Sequence, residues 1–591
     1  MTDAAAAVEA AKKALAEAEA ALAAERPVST GSTTGAGSTV STGSTTGAVS
    51  TGSTTGTAGP LGASAVEAIR AGYAFEGEVL EMGALVNGDA LPEVQVRIPI
   101  AMLNRHGLVA GATGTGKTRT LQVLAEQLSA AGVPVFAADI KGDLSGIASP
   151  GEPSEKLLAR TTGIGQHWVA AASPVEYYTL GGQGTGIPIR ATVSSFGPLL
   201  LSKVLGLNST QESSLGLVFY YADQAGLPLV GLDDLRAVLL WLVSDEGKPE
   251  LKALGGLGSA TVGVILRELI TFADQGADVF FGEPEIDTQL FLRQNAGGKG
   301  IVSLLEIPGV QDKPALFSTF LMWMLADLFN DLPEVGDIEK PKLVFFFDEA
   351  HLLFKGASKD FIDSITQTVR LIRSKGVGVV FVTQTPKDVP NDVLAQIGSR
   401  VQHQLRAHTP DDARALKQTV STYPTSGYDL GEVLTSLATG EAIITVMNER
   451  GAPTPVAWTR LRAPQGSMQP TAPDAMLATV TASPLMATYG ATIDRESAYE
   501  LLSVKMNAAA DAEAAAEAAK AQSAEDKALA KQYEQEWKDA QRKSAPAARK
   551  TTTRTPTRAG SNPIGDALSS RTGQTVVREV LRGIFSTLKK K

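Results

Sequence analysis

Residues 111–120 read GATGTGKTRT. Gly111, Gly116, Lys117 and Thr118 fit the pattern G-x-x-x-x-G-K-[ST], in which a glycine-rich loop turns its backbone N–H groups inward around phosphate oxygens. The four residues before the loop, GLVA (107–110), read as a short strand, and the residues after it as a helix over about 117–130. The loop therefore opens a helix, whose N-terminal dipole adds to anion binding. In this frame Gly111, Ala112, Thr113, Gly114, Thr115 and Gly116 form the cradle. Lys117 gives a positive charge to the β- and γ-phosphates, and the Thr118 hydroxyl can ligate magnesium. Arg119 counts with the nucleotide-binding residues.

A second stretch, LVFFFDEAHLLF, lies more than two hundred residues later at 343–354. An apolar strand run ends there in Asp348-Glu349. A carboxylate at a strand's C-terminal end beside a phosphate loop can hold magnesium through water, which is the reading of Asp348. The next carboxylate, Glu349, can polarise the attacking water. A third run, VVFVTQTP (379–386), ends in Thr383 and Gln384. An amide at Gln384 can bond both a γ-phosphate and the attacking water.

Several such runs are apolar throughout and are separated by helical stretches: VPVFAAD, GIVSLLEI, KLVFFFD and VGVVFVTQ. That alternation indicates a parallel sheet buried on both faces. The fold expected is α/β, a RecA-like P-loop NTPase core with a mainly parallel sheet, an all-helical insertion and helical or disordered ends. The segments expected along the chain are an N-terminal helix (1–26), a Ser/Thr/Gly repeat linker (27–64), a short β-hairpin region (65–105) and the first part of the core (106–193). A helical insertion (194–290), the second part of the core (291–505), a helix (506–544) and a basic tail ending in a short helix (545–591) follow. Within the hairpin region, AFEGEVLEMG and EVQVRIPIAML read as strands joined by a turn at NGDALP.

Composition narrows the function. The chain has 591 residues, 43% apolar and 20% charged, with no cysteine. Disulfides, zinc ribbons and thiol chemistry are excluded, which suits a reducing compartment. The net charge of −10 gives no whole-chain basic signature for nucleic acid. From Gln541 onward, however, the basic residues Arg542, Lys543, Arg549, Lys550, Arg554, Arg558, Arg571, Arg578, Arg582 and Lys589 to Lys591 face only Asp566 and Glu579. The N-terminus is broken by Lys and Glu throughout and does not read as a signal peptide. The longest apolar stretch, ALFSTFLMWMLADLF, falls short of the roughly 18 residues a membrane span needs. A soluble, cytoplasmic protein with no membrane span is expected.

Taken in order, LNRHGLVAGATGTGKT, FAADIKGD, FFFDEAH, RLIRSKGVG and VTQTP resemble the HerA-like branch of the HerA–FtsK superfamily of hexameric P-loop ATPases. GLNSTQE, FFGEP and SPLMATYGATIDRESAYELL look like its bacterial YjgR-type subgroup. The resemblance covers roughly 70–505 and the extreme C-terminus. It implies ATP and magnesium (Mg2+) as cofactors. The partners it implies are further copies of the chain in a homo-hexamer, double-stranded DNA, and a nuclease or other protein. Gly111, Gly114, Gly116, Lys117 and Thr118 match the family's nucleotide loop, Asp348 and Glu349 its metal-holding and catalytic acids, and Gln384 its glutamine sensor. Asp139 matches an acid found at that point in HerA proteins. Arg373 is the candidate γ-phosphate contact, with Arg370 as competitor, and Arg105 stands where HerA-type rings place an arginine reaching a neighbouring subunit's nucleotide.

Two features depart from the family pattern. Only 65–105 stands where HerA proteins carry an N-terminal β-barrel, so a vestigial hairpin is expected, and no DNA-reading winged helix or basic pore loop is visible. A DNA translocase or helicase, a ring ATPase acting on protein, and a nucleotide-gated interaction protein are therefore the competing functions. The repeat STGSTTGA at 29–36 and 41–48 cannot bury enough apolar surface to order itself. Deleting residues 1–60 is expected to leave the steady-state ATPase rate unchanged, and a large loss on truncation would show a functional segment there.

Overall fold

A computed structural model describes residues 59–253, 258–306, 314–336, 338–354 and 359–544. The helix expected over 1–26, most of the linker over 27–64 and the basic tail over 545–591 lie outside the described residues.

Twelve strands form one sheet. In chain order they are β1 (Val79–Asn87), β2 (Asp89–Pro99), β3 (Gly107–Ala110), β4 (Val135–Asp139), β5 (Val175–Leu180), β6 (Ile187–Ile189), β7 (Val302–Glu306), β8 (Leu343–Phe347), β9 (Val377–Thr383), β10 (Ser399–Gln402), β11 (Glu441–Val446) and β12 (Ala457–Leu461). Across the sheet the order is β2-β1-β12-β11-β10-β3-β9-β8-β4-β7-β5-β6. From β10 to β6 every neighbouring pair is parallel, and from β10 outward through β11, β12, β1 and β2 every pair is antiparallel.

The parallel strands are apolar at successive positions because both faces are covered. In β8, Leu343, Phe345 and Phe347 join a core with Phe136, Phe320 and Phe381. Val344 and Phe346 point the other way, into a core with Leu121, Leu124 and Leu128 of the helix Lys117–Ala130. Each such buried side chain contributes about 1.5–3 kcal/mol. β5 and β6 were not legible as strands: VEYYTL mixes polar and apolar residues and IPI is three residues long. They extend the parallel region by pairing through β7. The helices Val193–Val204, Ser209–Gln224, Leu232–Val243, Lys248–Ala253 and Ser259–Asp274 occupy the stretch between β6 and β7.

The region 65–105, expected as a vestigial hairpin, opens with a helix, Ala63–Gly72, and its two strands are part of the main sheet. The turn is tighter than the sequence suggested, at Asn87-Gly88-Asp89, so β2 begins at Asp89. β1 pairs with β12 through Gly83, Ala84 and Leu85. The Tyr73 hydroxyl, 2.9 Å from both the Ile444 and Pro455 carbonyls, fastens the helix to the far end of β11. The last helix runs Ala498–Ser544, beginning before the expected 506; Ala498 and Leu502 are buried and the stretch beyond Ser503 is exposed where described. Among the described residues no helix is long and apolar enough to cross a membrane.

Gly83 fixes the hairpin's seat. Its φ is +148°, and a Cβ there would lie 2.1 Å from the Arg460 carbonyl oxygen. Gly83→Ala must push β1 off β12 or distort both. A loss of about 2 kcal/mol or more is expected, read as a lowered melting temperature. An unchanged melting temperature would mean that β1 does not pair with β12 in solution.

Candidate functional site

The parallel strands all end at one edge, and the phosphate-loop residues and the acid pair sit there together. The loop 111–116 leaves β3 and enters the helix Lys117–Ala130 through Gly116, whose φ is +107°. Lys117 Nζ donates to the Gly111 carbonyl at 2.6 Å and to the Ala112 carbonyl at 3.2 Å, so its ammonium curls over the loop. Burial pulls this lysine below its ordinary pKa, against the attraction of Glu349 and Asp348.

The loop is braced from β10 by a residue the sequence reading passed over. His403 is fully buried. Its Nδ1 lies 3.1 Å from the Thr115 carbonyl and its Nε2 3.0 Å from Thr120 Oγ1. The carbonyl can only accept, so Nδ1 carries the proton and Nε2 accepts from the threonine hydroxyl. Burial, with the nearby Lys117 charge, pushes its pKa down to about 4, which keeps the ring neutral. Contact is close enough that a Cβ on Gly111 would lie 2.4 Å from His403 Cβ. The Gly440 N–H, just before β11, donates to the same Thr115 carbonyl at 3.1 Å. The signal was a histidine at a strand end in HQLRA, which is weak without knowing that β10 lies beside β3.

Asp348 and Glu349 follow β8 directly. Burial, and next the charge of Glu349, push the Asp348 carboxyl up to about 7. Its Oδ1 accepts from the Glu349 N–H at 2.9 Å. Glu349 is buried and has a φ of +50°, a conformation that costs a non-glycine residue about 1–3 kcal/mol. Burial works to raise its pKa, but the hydrogen bond and charge of Lys141 outweigh burial and hold it below the ordinary carboxylate range. Lys141 Nζ lies 2.5 Å from Glu349 Oε1, and His351 Nδ1 3.2 Å from Oε2.

Lys141 belongs to the loop after β4, which Asp139 organises. The Asp139 carboxylate accepts from the Gly142 and Leu144 N–H groups, each at 2.8 Å. Burial pushes its pKa up to about 6. Asp139 thus holds the loop after β4 in shape. The same loop carries Asp143, whose Oδ2 accepts from the Thr118 hydroxyl at 3.3 Å. Arg119 is turned away from the cradle: it donates to the carbonyls of Met468 at 2.5 Å and Asp143 at 3.4 Å.

Gln384 directly follows β9, the strand between β3 and β8. Asp388 secures the turn, accepting from Thr383 Oγ1 at 2.7 Å and from the Thr385 N–H at 3.1 Å. Gln384 lines a cleft of about 180 Å³ with Ala112, Thr113, Arg406 and Leu416. The amide therefore stands beside the lip of the phosphate loop.

The arginines are elsewhere. Arg105 precedes β3 and Arg373 precedes β9, so both stand at the N-terminal edge of the parallel strands. β9 has seven residues, which separates Arg373 from Gln384 by roughly 20 Å. Arg370, one helical turn earlier, is exposed near the same edge. Arg105 Nη1 donates to Met447 Sδ at 3.4 Å, and its Nε is buried without a hydrogen-bond partner among the described residues. Between the two arginines His106 locks the strands: its Nδ1 accepts from the Val379 N–H at 3.1 Å and its Nε2 donates to the Val369 carbonyl at 2.7 Å. Neither Arg105 nor Arg373 is within reach of the phosphate loop of its own chain.

The residues fit a magnesium ion. Thr118 Oγ1, Asp348 and Asp143 are hard oxygen donors, the class magnesium prefers. Asp143 Oδ1 is buried with no hydrogen-bond partner among the described residues. Yet among those residues no three carboxylates or imidazoles are placed to hold a metal unaided. That is the pattern of an ion completed by substrate phosphates and water.

Since His403 ties the loop to β10, His403→Ala removes one of two hydrogen bonds at the Thr115 carbonyl and one of two at the Thr120 hydroxyl. Each lost bond costs about 0.5–1.5 kcal/mol. ADP affinity measured by calorimetry is expected to fall by about tenfold, and unaltered affinity would show that the loop holds its shape without the imidazole.

Residues 85–591 match the family model described as helicase HerA-like, C-terminal. A "Probable helicase" of Methanocaldococcus jannaschii is 23% identical over 369 residues, which is 58% of this chain and 64% of that protein. A "DNA double-strand break repair helicase HerA" of Sulfurisphaera tokodaii is 23% identical over 378 residues, 63% of this chain and 67% of that one. The chain thus spans about two thirds of the length of these relatives. Among solved structures, the plasmid coupling protein TrwB in complex with ADP and Mg2+ aligns with a TM-score of 0.45 and 16% identity, over 68% of this chain and 98% of that one. VirB4 of Thermoanaerobacter pseudethanolicus gives 0.41 and 15%, over 66% and 97%. With the family model matching all but the first 84 residues, the chain belongs to the HerA-like helicase family.

Proposed function

We propose that this chain is an ATP- and magnesium-dependent motor of the cytoplasm, working as a homo-hexameric ring that translocates on double-stranded DNA. One observation carries the reading: the nucleotide residues and the candidate arginines lie on opposite edges of the same parallel sheet. A head-to-tail interface is heterologous, and repeated copies of it close into a ring. Such packing brings one subunit's Arg105 and Arg373 to the next subunit's phosphates.

At each junction the loop 111–116 and Lys117 hold the β- and γ-phosphates. Thr118 and Asp348 are the residues that would hold magnesium, which supplies charge neutralisation on the phosphate oxygens when bound. Glu349 polarises the attacking water, and Gln384 bonds water and γ-phosphate. Arginine supplied in trans neutralises the charge that builds in the transition state, worth about 10³–10⁵ in rate where such fingers act. Glu349→Gln is expected to keep ADP binding and lower kcat by about 100-fold or more. Hydrolysis at the wild-type rate would remove Glu349 from the role.

A mixing experiment tests the junction. Arg105→Ala and Lys117→Ala proteins, each inactive alone, are combined. Partial recovery of ATPase activity is expected, because some mixed interfaces pair an intact Arg105 with an intact Lys117. No recovery despite proven co-assembly would leave Arg105 a structural residue.

The net charge of −10 and the exposed stripe Leu529, Tyr533 and Trp537 on the last helix favour a second reading, a ring ATPase or nucleotide-gated interaction protein that acts on a protein partner. The ATPase rate with and without double-stranded DNA separates the two. A DNA motor is expected to be stimulated at about 50 mM salt and much less at about 200 mM, because phosphate contacts release counterions. Indifference to DNA at both salts would favour the protein partner.

A further inference from the structure

Lys141 has no part in the mechanism above, yet it makes the closest contact to the residue assigned to activate water. Its Nζ lies 2.5 Å from Glu349 Oε1. The glutamate side chain is 8% exposed and the lysine 43%, so the lysine approaches a buried acid from the solvent side. The other carboxylate oxygen lies 3.2 Å from His351 Nδ1.

The lysine is delivered by a braced turn. Asp139 holds the Gly142 and Leu144 N–H groups at the root of the turn, Ser145 Oγ donates to the Gly142 carbonyl at 2.7 Å, and Thr118 Oγ1 reaches Asp143 at the tip. β4 and β8 are paired neighbours, Ala138 beside Phe347, so the turn after one strand meets the acid after the other. Because the Thr118 hydroxyl touches this turn, the phosphate loop and the lysine are mechanically joined.

A carboxylate activates water by accepting a hydrogen bond from it. Here Oε1 is held by an ammonium and Oε2 is buried, with no hydrogen-bond partner among the described residues, so neither oxygen is open to a water in this geometry. We propose that Lys141 is a positioning residue that restrains Glu349, so that an isolated subunit holds ATP without spending it, and that docking of a neighbour on the phosphate loop draws the turn and its lysine away. This rests on the assignment of Glu349 as the water-activating acid.

The test uses the full chain and three variants: Lys141→Met, Lys141→Arg and Glu349→Gln. ATPase rates are measured at low and high protein concentration, with ADP and a non-hydrolysable ATP analogue titrated by calorimetry and amide exchange followed over residues 346–354. If the restrained form is favoured about ten to one, removing the lysine raises kcat of the dilute protein by about tenfold. Lys141→Met is then expected to narrow the gap between dilute and concentrated protein and to speed exchange around Glu349. KM and both nucleotide affinities should stay within about twofold of wild type. Lys141→Arg keeps the charge and should behave as wild type. An unchanged or lowered kcat in Lys141→Met overturns the restraint, and so does a selective loss of affinity for the ATP analogue, which would make Lys141 a phosphate ligand. Glu349→Gln separates the two levels: if it hydrolyses ATP normally, the assignment of the acid has failed; if it is inactive while Lys141→Met is no faster, only the restraint has failed.

Discussion

Eight strands running in one direction are the constraint on which the site depends. A parallel sheet gathers the C-terminal ends of its strands on one edge, where loops of different sequence origin meet. The phosphate loop follows β3, Gln384 follows β9, the acid pair follows β8 and the Lys141 turn follows β4, and these four strands are consecutive in the sheet. The polar ends of buried strands thus become neighbours although Gly111 and Gln384 stand more than 270 residues apart in the chain. The same constraint sends whatever precedes those strands to the opposite edge. Arg105 and Arg373 are there for that reason, and His106 between them bonds β9 and the end of the helix Lys359–Ile372 into one unit.

The strands where the sheet changes from parallel to antiparallel serve the loop from the side. β10 and β11 carry no phosphate-binding residue, but His403 and Gly440 close on Thr115 from their ends. A glycine-rich loop is entropically costly to order. Bracing from a neutral, buried imidazole and a backbone N–H fixes it without adding charge to the cradle.

Much of this was legible in the chain. The loop 111–118 announces itself because its chemistry is carried by adjacent residues, and β8 and β9 announce themselves because strands buried on both faces have no polar positions. What sequence could not show was adjacency across the sheet. His403 looks like any strand-end histidine until β10 is set beside β3. Lys141 looks like a surface lysine until β4 is set beside β8. β5 and β6 were missed because a half-polar strand and a three-residue strand fall below any periodic signal. Asp139 and Arg119, expected as nucleotide residues from their positions, have partners within the chain: Asp139 the backbone of its own turn, Arg119 the carbonyls of Met468 and Asp143 and the Gln122 side chain. Their residue types suit either use, and only geometry decides.

In the proposed ring, a sheet with its phosphate loop on one edge and its arginines on the other would supply half of each of two sites, joined between copies. The most direct measurement is a structure of the Glu349→Gln protein assembled with magnesium and ATP. The account requires Arg105 or Arg373 of one subunit within hydrogen-bond distance of the γ-phosphate held by the Lys117 of the next. An assembly in which both arginines stay folded against their own chain, with no residue of a neighbour near the γ-phosphate, would contradict it.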